Sequence, residues 1–344
     1  MANVHVDDER DLILDILRAL RAPEANAQTQ TRWLIEADLR GHSSHGLQRL
    51  PVIAERIARG LCDPAAEPAL SWASPAALVV DGRRGLGPCA GLAAVDALIE
   101  RAPGHGVAVA AVHNANHLGL LAGYVERCAE HGLIGVALTT SEALVHPWGG
   151  RIAAVGTNPI AVAVPAHPDP FVLDMATGRV SMGKILDHRN RAVPLEPGWA
   201  LDGEGRSTLD AAAAANGSIA PFGGPKGYAL GVAFELLVGA MTGTALGRDV
   251  AGTLDTTAVC NKGDMFVCLD PRVFGSREFV QQVTAYLQIL RDTPPQDGSA
   301  GVLVPGDRAR AARAGRLEGG IVVADGVWAE LRELRARLCK GVVA

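Results

Sequence analysis

Between Ala77 and Met175 short apolar segments alternate with helix-like segments, and no other feature of the chain constrains its fold as strongly. Ala77–Val80, Val107–Val112 and Ile134–Thr139 have the length and branched-residue content of buried strands, and Ala90–Glu100 and Leu121–Glu130 separate them as helices. Strands and helices in alternation must pack as layers, so this region predicts an α/β body. Strand candidates within Ile152–Val164 and at Phe171–Met175 extend it, and Val302–Pro305 reads as a late strand or an extended segment. Lys226–Met241 predicts a long, almost wholly apolar helix; its run from Tyr228 is too short for a bilayer and carries Glu235, so it reads as buried.

Helical patterning returns at both ends. Asp7–Arg21 places Leu12, Ile13, Ile16, Leu17 and Leu20 on one face, with acids in the first turn and arginine in the last, as the helix dipole favours. Pro23 ends it, a second helix follows over Glu24–Arg40, and Gly41 suits the position past its end. A C-terminal helix is expected over Gly326–Leu338. Residues 1–75 and 305–344 are therefore expected to pack together as a helical part beside an α/β body at 76–304.

A formal charge of −5 gives no basic field for nucleic acid. Arg308, Arg310, Arg313 and Arg316 read as the solvated face of a short helix. Asp7, Asp8 and Glu9 precede the first apolar residues, unlike the basic start of a signal peptide, so a cytoplasmic protein without membrane contact is expected. Six widely spaced cysteines with no Cys-x-x-Cys pair imply reduced thiols rather than a zinc ribbon or dithiol site. Forty glycines against fourteen aromatic residues suggest many tight turns, as where loops cradle a polar ligand.

Chemistry-bearing residues concentrate in a few turns. In Ser44-His45-Gly46-Leu47-Gln48-Arg49, a helical turn would put His45 and Arg49 on one face; arginine grips a carboxylate in two-pronged fashion while histidine exchanges a proton, although an interfacial arginine with a capping histidine has the same spacing. His113-Asn-Ala-Asn-His117-Leu-Gly follows a strand and leaves two readings open, an acid/base at His117 or a metal pair. Phe222-Gly-Gly-Pro-Lys-Gly-Tyr228 enters the apolar helix, where free N–H groups beside Lys226 and Gly227 would suit an anion. Asp174-Met175-Ala176-Thr177 and Pro305-Gly306-Asp307 are further polar turns. Gly85-Leu-Gly87-Pro-Cys-Ala90 fits a dinucleotide fingerprint in spelling, but Gly82-Arg83-Arg84 separates it from its strand, which favours a plain turn.

Taken together these segments resemble the malate/L-lactate dehydrogenase family, distinct from Rossmann-type dehydrogenases, over nearly the whole chain. The resemblance is carried by Arg40-Gly41, Ser44-His45-Gly46, Arg49-Leu50-Pro51, Asn116-His117-Leu118-Gly119, Pro147-Trp148-Gly149-Gly150, Gly156-Thr157-Asn158-Pro159, Asp174–Thr177, Gly183-Lys184-Ile185, Gly224–Tyr228 and Pro305-Gly306. It implies a non-Rossmann, mixed-sheet cofactor domain with a helical domain built from both chain ends, an NAD or NADP cofactor, a small carboxylate substrate, no metal and an intertwined homodimer. The implied activity is hydride transfer between a nicotinamide and a 2-hydroxy acid/2-oxo acid pair; cyclic-imine carboxylate, diketo sugar acid and ureidoglycolate chemistry occur in the same family. It further implies that His117 or His45 carries the proton, that Arg49 with Ser44 binds substrate, and that Asp174, Met175, Ala176, Thr177, Lys226, Gly227, Pro305, Gly306 and Asp307 meet the cofactor. Ser43, Gly178 and Asp307 depart from the residues most common there. The stretch Gly252–Asp255 with Cys260–Asp264 looks most like malate- or sulfolactate-type members.

Overall fold

The computed structural model describes residues 2–275 and 278–340. Its centre is a seven-stranded sheet in the order Ala69–Ser74, Ala77–Asp81, Val107–His113, Asp264–Leu269, Ile134–Thr139, Ile160–Val164, Phe171–Met175. Only Ala77–Asp81 and Val107–His113 run parallel; every other neighbour pair is antiparallel. The sheet is therefore mixed and has no doubly wound parallel half of the Rossmann kind. Helices Gly87–His105 and Ala122–Glu130 cover it through a core that includes Leu98, Val112, Tyr124 and Phe266.

A second core joins the helices Val6–Ala19 and Glu24–Leu39 to the C-terminal helix Asp325–Lys340, with Leu12, Ile16, Leu39 and Leu331 buried together. An unforeseen two-stranded sheet, Ala2–Val4 with Ile321–Val323, pairs the chain ends. A five-stranded sheet containing Ala143–Val145 forms a third region.

Several expectations are corrected. Of the two readings of Val302–Pro305 the strand is the one that fails: Val304 is buried against Ala166 and Leu287, but the contact with the sheet edge is one backbone bond, Val172 N–H to Pro305 O at 3.3 Å. Ile152–Val164 yields only Val155–Gly156 and Ile160–Val164, because buried Asn158 turns the chain with φ +30°. The four arginines lie on a thirteen-residue helix, Asp307–Gly319, where Arg308 is exposed as expected but the other three are not simply solvated. Arg313 pairs with Glu36, Arg316 donates to the Asp38 carbonyl, and Arg310 holds Asp307, so this face is bonded to the Glu24–Leu39 helix and its surroundings.

The apolar helix Pro225–Thr242 is not buried either. Gly227, Gly231, Glu235, Val238 and Gly239 face inward, while Ala229, Leu230, Ala233, Leu236, Leu237, Ala240 and Met241 form an exposed stripe at helical spacing. Leu236 is 55% exposed. Such a stripe on a folded chain calls for a partner surface.

Beneath the segment that carries His45 and Arg49 lie two buried acids. The Asp38 carboxylate accepts the Leu47 N–H at 2.5 Å, a contact possible only because Gly46, whose Cβ would sit 2.0 Å from Asp38 Oδ2, has no side chain. Glu9 is fully buried, neither of its oxygens meets a protein donor, and Asp38 is its acidic neighbour. Burial first, and Asp38 second, push the Glu9 carboxyl up to about 9, so it stays protonated. Unfolded, it loses that proton near pH 4.5. Between those values the native state holds more protons than the unfolded state, so this group's contribution is present at low pH and is lost as pH rises. Glu9→Gln is expected to stabilise the protein at about pH 8 by a few kcal/mol, given ~1.4 kcal/mol per pH unit, with little effect near pH 4.5. Thermal unfolding at both pH values reads this directly.

Candidate active site

A cavity of about 600 Å³ lies where the two cores meet. Its walls come from His42–Val52, His117–Leu121, Thr139–Glu142, Asp174–Gly183 and Lys262. The segment expected to be a single helical turn is two 3-10 turns, Ser43–His45 and Leu47–Arg49, broken at Gly46. His45 and Arg49 thus reach the cavity from successive turns rather than along one helix face.

Arg49 is aimed by two carbonyls: its Nε donates to Ser44 O at 3.0 Å and its Nη1 to Thr253 O at 3.4 Å. This leaves Nη2 facing His117 Nε2 at 3.3 Å. The rings of His45 and His117 are 5.3 Å apart, and Ser44 Oγ lies 3.0 Å from His45 Nδ1. The structure therefore brings Ser44, His45, Arg49 and His117 together from segments 68 residues apart.

Both nitrogens of His117 face donors, since the Gly119 N–H donates to Nδ1 at 3.1 Å and the Arg49 guanidinium borders Nε2. A neutral ring satisfies one of them and an imidazolium neither. Burial, then Arg49, His45 and Lys262, push the His117 pKa far below the ordinary histidine range; burial and Arg49 push His45 down to about 3. Both rings are neutral at pH 7.

The turn bearing His117 is locked from below. Asn116 Nδ2 donates to Arg84 O at 2.8 Å and Gly85 O at 3.0 Å, and its Oδ1 accepts from Arg56 Nε at 3.0 Å. Gly87 opens the helix that packs there; a Cβ on it would lie 2.2 Å from His117 O and 2.5 Å from Asn116 O. Gly87 of the Gly85-Leu-Gly87 turn therefore serves close approach to the histidine loop, whereas Gly85 packs against Gly82 and Ala66. Gly87→Ala is expected to cost about 1–3 kcal/mol of stability and, by displacing His117, about 100-fold in turnover. Calorimetry together with steady-state kinetics tests both numbers.

The other expected residues divide. Asp174, Met175 and Ala176 line the cavity, and Asp174 accepts the Ala122 N–H at 2.7 Å while burial raises its carboxyl to about 7. Thr177 is buried behind this wall, its N–H and hydroxyl both donating to Thr157 O at 2.7 and 2.9 Å. Lys226 is exposed at the start of the apolar helix, and Gly227 is buried against Phe222 O; neither lines the cavity, though Phe222 does. Pro305, Gly306 and Asp307 also lie outside it, with Asp307 held by Arg291 at 2.9 Å and by Arg310 at 2.7 Å. Among the described residues no three His, Cys, Asp or Glu side chains gather to hold a metal ion.

Two charged cavity residues were given no role by the sequence: Glu142, and Lys262, which lies inside the Cys260–Asp264 stretch. Glu142 accepts Thr253 N–H at 2.6 Å and Leu254 N–H at 2.8 Å, pinning the strap whose Thr253 carbonyl orients Arg49. Lys262 is 2% exposed, paired with Asp264, and lines the same cavity as His117. Glu142 stands in no motif, and the place of Lys262 at the cavity shows only once Asp264–Leu269 pairs with distant strands.

The cavity is larger than a small acid needs. A small acid fills about 100 Å³, the bulk of three to four waters at about 30 Å³ each, so most of the cavity is left for a second occupant. The remaining wall offers apolar Leu120, Leu121, Pro159 and Met175, with Arg179 at the rim.

The malate/L-lactate dehydrogenase family model matches residues 4–332. An L-sulfolactate dehydrogenase of Methanocaldococcus jannaschii is 36% identical over 314 residues, 91% of either chain. A Δ1-pyrroline-2-carboxylate reductase of Ancylobacter novellus is 34% identical over 345 residues, covering 98% of this chain and 97% of that one. The solved structure of a dehydrogenase from Sinorhizobium meliloti superposes with a TM-score of 0.94 at 44% identity, covering 97% of this chain and 98% of its own. With the whole chain matched and the fold shared, this protein is an oxidoreductase that belongs to the malate/L-lactate dehydrogenase family.

Proposed function

We propose that this chain interconverts a small 2-hydroxy acid and its 2-oxo acid with NAD or NADP, using His117 as proton carrier and Arg49 as carboxylate clamp. The observation that carries the reading is the 3.3 Å approach of Arg49 Nη2 to His117 Nε2 at one end of a cavity much larger than a small acid. The nicotinamide, when bound, supplies or accepts the hydride. Arg49 holds the substrate carboxylate, which fixes C2 beside the imidazole. Neutral His117 takes the C2 hydroxyl proton on Nε2 in the oxidising direction, in the tautomer that carries its ring proton on Nδ1 and gives up the Gly119 N–H contact. A bound carboxylate offsets the Arg49 charge, so the proton affinity of His117 rises when substrate arrives, which also suits the return step. His45, tied to Ser44, orients the substrate oxygen from the other side. Asp174, Met175 and Ala176 are the proposed cofactor wall, with Thr177 fixing the turn behind them.

The exposed apolar stripe on Pro225–Thr242 supports a homodimer, with light scattering expected to give twice the 35.8 kDa chain mass. No described helix is long and apolar enough to cross a membrane, and the free cysteines agree with a reducing, cytoplasmic setting. A substrate panel tests the activity: oxaloacetate, sulfopyruvate, pyruvate and cyclic imine carboxylates, each with NADH and NADPH, followed by nicotinamide absorbance. Turnover of 2-oxo acids is the expected result; turnover of cyclic imines alone, the chemistry named for the Ancylobacter relative, would overturn the hydroxy-acid reading.

A further inference from the structure

The cavity holds a second buried cation with no role in the chemistry described so far. Lys262 sits just before the strand Asp264–Leu269, whose register sets Asp264 opposite Val112 on one side and Thr139 on the other. That pairing brings Lys262 to the reacting end of the cavity, close enough for its charge to act on His117. Its ammonium is bonded to Asp264 Oδ1, and Thr139 Oγ1 donates to the same oxygen. Among the described residues Asp264 is its one hydrogen-bond partner, which leaves two N–H bonds without an acceptor although the side chain is 2% exposed. Buried ammonium donors are costly to leave unmet, so a fixed one lining a cavity is a waiting ligand contact. The pair with Asp264 is neutral overall, so Lys262 adds a directed donor rather than a surplus charge for a second anionic group.

We propose that Lys262 is a further catalytic residue, donating a hydrogen bond to the substrate's C2 oxygen while His117 moves the proton. The proposal rests on the reading of this cavity as a 2-hydroxy acid/2-oxo acid site. In the reducing direction C2 gains a hydride from the reduced nicotinamide, the C=O π pair moves onto oxygen, and that oxygen takes the proton from protonated His117; Lys262 keeps all its own protons. A donor aimed at an oxygen that becomes more negative is worth most in the transition state.

The test uses Lys262→Met with Asp264→Asn, so that no lone carboxylate is left buried, and Lys262→Gln as a milder second variant that keeps a donor. Two unreactive probes separate the contacts: oxamate carries both a carboxylate and an oxygen in the C2 position, whereas propionate carries only the carboxylate. The double variant is expected to bind oxamate about tenfold more weakly by calorimetry, to bind propionate as wild type does, and to lose about 10²–10³ in kcat/KM for a 2-oxo acid. Lys262→Gln should fall between. Unchanged oxamate binding and turnover in either folded variant would overturn the proposal, as would an equal loss of both probes. If wild type reduced no 2-oxo acid yet bound oxamate in a Lys262-dependent way, the dehydrogenase reading would fail while the Lys262 contact stood.

Discussion

Arg49→Leu is expected to lower kcat/KM for a 2-oxo acid by about 10²–10⁴, the range found when one partner of a buried, hydrogen-bonded charge pair is removed. The size follows from how the guanidinium is held. Ser44 O and Thr253 O fix two of its nitrogens, so the group is planar and aimed before substrate arrives, and little ordering is left to pay for. Arg49→Lys should recover only a small part, because a point charge on a flexible stem cannot reproduce a two-pronged clamp. The Michaelis constant for the nicotinamide should stay within a few-fold of wild type. Losses of similar size on both substrates would mean that Arg49 supports the cavity as a whole rather than the acid.

His117→Gln is expected to reduce turnover by about 10²–10⁴, the usual span for a positioned general acid or base, and His45→Gln by about tenfold. The order matters: if His45→Gln were the inactive variant and His117→Gln retained turnover, the two roles would be exchanged. The pH dependence adds a separate check. Burial and the neighbouring cations keep His117 neutral well below the ordinary histidine range, and His45 titrates at about 3. The base is therefore already deprotonated across neutral pH, and kcat/KM in the oxidising direction should not fall as pH is lowered through about 6.5, where an ordinary histidine would lose it. A clear loss centred near 6.5 would show a histidine that these surroundings do not perturb.

The α/β body was legible because local patterning agrees with the final packing. Ala77–Val80, Val107–Val112, Ile134–Thr139 and Phe171–Met175 all became strands, nearly residue for residue. The order of those strands was not legible, since Asp264–Leu269 inserts between segments 125 to 162 residues earlier and no local signal reports such pairing. The same insertion hid the place of Lys262 at the cavity, although its stretch Cys260–Asp264 had drawn notice. Arg49 and His117 stood out through residue type and turn context, yet their 3.3 Å contact depends on the hydrogen bonds of Asn116 and on the missing side chains of Gly87 and Gly46, which count only in three dimensions. The apolar helix misled in an instructive way: composition alone cannot tell burial within a chain from burial against another copy, and the exposed Leu236 and Leu237 favour the second. Val302–Pro305 carries strand-like residues but meets the sheet through a single bond, so tertiary placement overrode propensity.

The most direct measurement is isotopic. Incubating the protein with a 2-oxo acid and nicotinamide deuterated at the transferring C4 position, in ordinary water, then examining the product by NMR, follows the hydride itself. Hydride transfer to a 2-oxo acid requires one deuterium on C2 of a single enantiomer of the hydroxy acid, abolished in His117→Gln and Arg49→Leu. Deuterium retained in the nicotinamide while product forms, or product with hydrogen from water at C2, would contradict it.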